Sequence, residues 1–88
     1  MKLPICAKCG ATYRARKNDI RVVTYRKNEE GEQTENEIWC ADLLECPICH
    51  HEIVWGFGYK AWKNYYEEDF IESLKGVIER EYVVHCFE

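Results

Sequence analysis

The chain has 88 residues, 47% hydrophobic and 32% charged, with a formal net charge of −4; a length like this makes one small core. No apolar run approaches the roughly 18 residues of a membrane-spanning helix, and Met1-Lys2-Leu3-Pro4-Ile5-Cys6 does not read as a signal peptide, so neither membrane insertion nor export is expected. Six cysteines without a secretion signal point to reduced thiolates, and hence to a cytoplasmic protein, rather than to a disulfide framework.

In chain order, the first element is the turn Cys6-Ala7-Lys8-Cys9, followed by Gly10, where a left-handed backbone is tolerated and amides can face the sulfurs. Thr12 to Lys17 alternates, with Tyr13 and Ala15 opposite Arg14 and Arg16, and Lys17-Asn18-Asp19 reads as a turn. Ile20 to Lys27 is the clearest strand, rich in β-branched and aromatic residues. Asn28-Glu29-Glu30-Gly31 is a loop with glycine where positive φ is wanted, and a return strand spans Glu35 to Ala41. Antiparallel pairing is expected to bring Glu35 and Glu37 beside Arg26 or Arg21.

A second turn, Cys46-Pro47-Ile48-Cys49, completes a set of two C-x2-C knuckles. Each places two thiolates on one tight turn, and four thiolates satisfy a tetrahedral ion with no other ligand. The metal ligands are therefore Cys6, Cys9, Cys46 and Cys49. From Glu52 to Trp62 the chain reads as an aromatic strand, with Trp55, Phe57 and Tyr59 on one face and Gly56 and Gly58 on the other, open to approach by the next element. Asn64 and Glu67 resemble a capping box, and Glu67, Glu68 and Asp69 suit a helix N-terminus. Phe70, Ile71, Leu74, Val77 and Ile78 form an apolar stripe at helical spacing, and Tyr82 to Phe87 reads as a terminal strand.

The C-x-x-C-G pattern followed by C-P-x-C resembles a zinc ribbon of the rubredoxin-like type, over roughly the first half of the chain. His50 stands where that family usually has glycine, and the insert over residues 10–45 exceeds the roughly 15–20 residues common between such pairs. The expected fold is α+β: a zinc ribbon with antiparallel hairpins, one C-terminal amphipathic helix and a short terminal strand. It forms a single domain over residues 1–88, with the knuckles and inserted hairpin in 1–54 and the aromatic strand, helix and terminal strand in 55–88. One structural zinc is expected, with iron as the alternative, since four thiolates accept either. Cys40, Cys86, His50, His51 and His85 offer a second site, against which stands the tendency of lone strand cysteines to be small buried hydrophobes.

A closed thiolate shell leaves no position for an activated water, so no enzymatic role is expected. Charge is polarised: residues 1–28 carry eight cations against Asp19 alone, and residues 29–88 carry four cations against fifteen acids. Two partner classes follow. The acidic half or the aromatic strand suits another protein, as in small acidic regulators and inhibitors of the phage or mobile-element type. Alternatively, Arg14, Arg16, Lys17, Arg21, Arg26 and Lys27 suit nucleic-acid phosphates, with Tyr13 or Tyr25 as a stacking face. A rubredoxin-like iron electron carrier is a third reading.

Overall fold

A computed structural model describes residues 2–80 and 82–87. Two long strands, β1 (Arg14–Lys27) and β2 (Gln33–Glu45), form an antiparallel hairpin, closed by Asn28, whose Oδ1 accepts the N–H groups of Glu30 and Glu32, both at 2.9 Å. Gly31 there has φ +82°, as its place in the loop requires. β3 (Glu52–Trp55) and the two-residue β4 (Lys63–Asn64) share the outer edge of β2, and β5 (Val83–Cys86) pairs in parallel with β1 on the other side. The order is β3-β2-β1-β5, mostly antiparallel, and α1 (Phe70–Ile78) is the one helix among the described residues.

Successive residues of a strand point to opposite faces, and the core divides accordingly. On one face Val23 and Ile38 bury Phe70, Leu74 and Val77 of α1. On the other, Ile20, Val22, Ala41 and Leu43 lie under Trp39, Val54, Tyr82 and Val84. A third cluster, Cys6, Tyr13, Leu44 and Cys46, sits at the knuckle end.

Several expectations are corrected. Lys17-Asn18-Asp19 is no turn: β1 runs through it, absorbing the extra residues as bulges, with Asp19 at φ +59° and its N–H donating to Asp42 Oδ1 at 3.0 Å. Asp tolerates that conformation, so the residues that signal a turn here mark a kink. Glu35 and Glu37 stand opposite Tyr25 and Thr24, because the register slips by one residue there; Arg21 binds Asp19 instead, at 2.6 Å, and lies over the Trp62 ring at 5.0 Å.

The aromatic segment is a regular strand only to Trp55, where Gly56 at φ +75° diverts it. It still tracks β2, since the N–H groups of Gly58, Trp62 and Tyr65 donate to the carbonyls of Cys40, Ile38 and Asn36. The chain bulges outward between these anchors, which explains how a strand-like composition gives an irregular edge. The helix does not approach the glycines: a Cβ at Gly56 meets Asp42 Oδ2 at 3.0 Å. Nor does Asn64 cap the helix, for its Oδ1 accepts the Tyr66 N–H and α1 begins after Asp69, whose carboxylate holds Lys63 Nζ at 2.8 Å. Phe70, Leu74 and Val77 are buried, whereas Ile71 and Ile78 are 59% and 53% exposed. The apolar stripe is wider than the sheet surface it meets.

Candidate metal centre

The two knuckles are built alike. In the first, the Cys6 N–H donates to Ala11 O at 2.8 Å and the Gly10 N–H to Cys6 O at 2.7 Å; in the second, the Cys46 N–H donates to His51 O and the His50 N–H to Cys46 O, both at 2.9 Å. Each turn passes through one left-handed residue, Gly10 at φ +72° and His50 at φ +64°. That conformation is free for glycine but costs about 1–2 kcal/mol for a residue with a Cβ.

The hairpin β1–β2 brings the knuckles together, with the first on the approach to β1 and the second between β2 and β3. The sulfurs of Cys6, Cys9, Cys46 and Cys49 all lie within 4.8 Å of one another, and Cys6 Sγ is 3.8 Å from Cys49 Sγ. Metal–sulfur bonds of about 2.3 Å in a tetrahedron separate the sulfurs by about 3.8 Å, so the quartet is compatible with a zinc-ribbon-like metal site. Cys6 and Cys46 are buried, Cys9 is half-buried and Cys49 exposed.

Electrostatics favour a cation. The Cys9 and Lys8 N–H groups pull the Cys6 thiol down to about 6, and those of Cys49 and Ile48 lower Cys46. Cys9 is pushed up to about 12 by the Cys49 sulfur, with burial acting in the same direction. Crowded sulfurs thus hold on to a proton that a metal ion bound there would replace.

Glu45, adjacent to Cys46 and only 7% exposed, is the one buried acid among the described residues. Arg16 Nη1 reaches its Oε2 at 2.9 Å, while His50 Nδ1 and Arg14 Nη2 reach its Oε1 at 3.2 and 3.5 Å. Arg16 Nε also binds Glu52 Oε2 at 3.0 Å, and Glu52 stands directly opposite Glu45 across β2–β3. The guanidinium thereby offsets the repulsion of two facing carboxylates. His50 and Arg16 keep the Glu45 carboxyl below its ordinary range. Nothing in the local sequence singles out Glu45 or Glu52 among the many acids. The signal lay in aligning the knuckles, which sets His50 in the place of Gly10.

The six cations proposed for phosphate contact do not gather. They are strung along β1, whose fourteen residues at about 3.3 Å each span over 40 Å. Arg14 and Arg16 are engaged by acids, Arg21 is covered by Trp62, and Lys17 Nζ lies 5.8 Å from the Tyr82 ring centre. Arg26 and Lys27 lie at the hairpin tip. The second-site residues are likewise apart. Cys40 on β2 stands opposite Arg21 and Cys86 on β5 opposite Thr24, with β1 between them. His85 Nδ1 pairs with Tyr25 OH at 2.8 Å, and His50 faces Glu45. Cys40→Ala and Cys86→Ala variants are each expected to retain one equivalent of zinc by elemental analysis; loss of metal in either would mean that the ligand set is misassigned.

No helix among the described residues is long and apolar enough to cross a membrane. Comparison of the chain with protein-family models, curated proteins and solved structures finds no match to any of them. Fold and site together define a small β-rich protein that carries a short helix and a four-cysteine cluster compatible with a bound metal ion.

Proposed function

We propose that this is a non-enzymatic zinc-ribbon protein, a cytoplasmic regulatory module that binds another protein, with one structural zinc on Cys6, Cys9, Cys46 and Cys49. When bound, the ion supplies cross-linking rather than chemistry, because four thiolates fill a tetrahedral shell and leave no place for water. The observation that carries protein binding is the edge segment from Trp55, the last residue of β3, to Tyr66. Trp55, Phe57, Tyr59, Trp62, Tyr65 and Tyr66 are all exposed, from 39% at Trp55 to fully at Tyr59. Aromatic residues are the usual anchors of protein interfaces. An acidic inhibitor of a larger protein is one role that such a surface and charge suit.

Engagement of Arg14, Arg16 and Arg21 within the fold weighs against nucleic acid, whose affinity depends on phosphate neutralisation. Fluorescence anisotropy of the zinc-loaded protein with labelled single- and double-stranded DNA and RNA, at two salt concentrations, tests the choice. The expected result is no binding in the micromolar range at either salt. Binding at that level that falls steeply with salt would transfer the function to the β1 cations. A photo-crosslinker at Tyr59 then identifies the protein partner.

A further inference from the structure

The two knuckles share a backbone plan but differ in how their left-handed residue is held. Gly10 adopts φ +72° unaided, whereas His50 adopts φ +64° carrying a side chain. His50 stands outside the sulfur quartet: its ring is turned toward Glu45, with Nδ1 3.2 Å from Oε1, and 68% of the side chain is exposed. Glu45 is in turn fixed by Arg16 from β1, which also grips Glu52 on the strand leaving the knuckle. A single chain of contacts therefore joins the strand entering the second knuckle, its left-handed residue and the strand leaving it. In the first knuckle the side-chain contacts described for Cys6 run to the cluster sulfurs and to Tyr13.

We propose that Glu45 is a positioning residue for metal binding, acting through His50: it holds the left-handed turn that aims Cys46 and Cys49 at the ion. This rests on the reading of the four cysteines as a metal site and adds to it a reason for the buried acid and for the histidine in a glycine position. Outer contacts that orient ligands typically change metal affinity by about 10–100-fold. Since Glu45 touches no sulfur in the network above, its effect should depend on what residue occupies position 50.

The test is a double-mutant cycle on metal affinity in the full chain. Cobalt binding is followed by sulfur-to-cobalt charge-transfer absorption, and zinc affinity is taken from competition with a chelator. Glu45→Gln is expected to weaken zinc about tenfold, and His50→Ala, which keeps a Cβ but lacks the hydrogen bond, by a similar factor. His50→Gly should bind as well as the natural chain, and Glu45→Gln should then have little effect in that background. A loss in Glu45→Gln that persists undiminished beside His50→Gly would show that Glu45 acts through its charge or the general fold, and would overturn the proposal. So would an unchanged affinity in Glu45→Gln. If His50→Gly itself weakens binding severely, the histidine is a ligand and the assignment is wrong. Absence of cobalt binding by the natural chain would instead refute the metal site itself.

Discussion

Removing the metal is expected to abolish cooperative melting and most of the far-ultraviolet circular dichroism. A domain of this length has about 4–13 kcal/mol of stability in all, at roughly 0.05–0.15 kcal/mol per residue. Structural zinc in small modules supplies about 10–16 kcal/mol of apparent free energy, so what remains without it is at best marginal. The knuckle end shows why: half of its buried cluster of Cys6, Tyr13, Leu44 and Cys46 is cysteine. Without the ion, the fully buried Cys46 sulfur stays crowded against the other three sulfurs. Chelation of the natural chain and a Cys46→Ser variant should therefore give the same disordered spectrum. A metal-free protein with an unchanged spectrum would show that the site is not structural.

The second large effect is expected at the other end. Phe70 is 3% exposed and packs on Val23 and Ile38, so it fastens the helix to the two central strands. Phe70→Ala should cost about 3–5 kcal/mol and lower the melting temperature of the zinc-loaded protein by about 12 °C or more, at roughly 4 °C per kcal/mol. Ile71→Ala, one residue along and exposed, should change stability by no more than about 0.5 kcal/mol. Equal losses in the two variants would mean that the helix packs through a different face.

That contrast also marks how far the chain could be read unaided. The C-x2-C spacing is a local pattern with a geometric requirement behind it, and the four sulfurs do converge. The strand Ile20–Lys27, the Gly31 loop and the terminal strand were legible because their residue types carry strong local preferences. Ile71 was not, because a stripe at helical spacing says nothing of how wide a surface it meets. Asp19 misled in the other direction, since the residues that close a turn are also those that accommodate a bulge. Arg16 and Arg21 were read from charge alone as available to a ligand. Their neighbours Glu45, Glu52 and Trp62 come from distant parts of the chain, and only the strand pairing brings them close.

The parallel pairing of β5 with β1 has a kinetic consequence. The β1–β2 hairpin joins residues near in sequence, and such units form in about 1–10 μs. Arg21 and Val83, by contrast, meet from opposite parts of the chain, with β2, β3, β4 and α1 all lying between. Closing that loop has an entropic cost met before the contact returns anything, so the last strand is expected to set the pace. Val84, which seats beside Val22, belongs to this late step. The sheet is therefore expected to assemble outward from the β1–β2 hairpin, with the β1–β5 seam closing last.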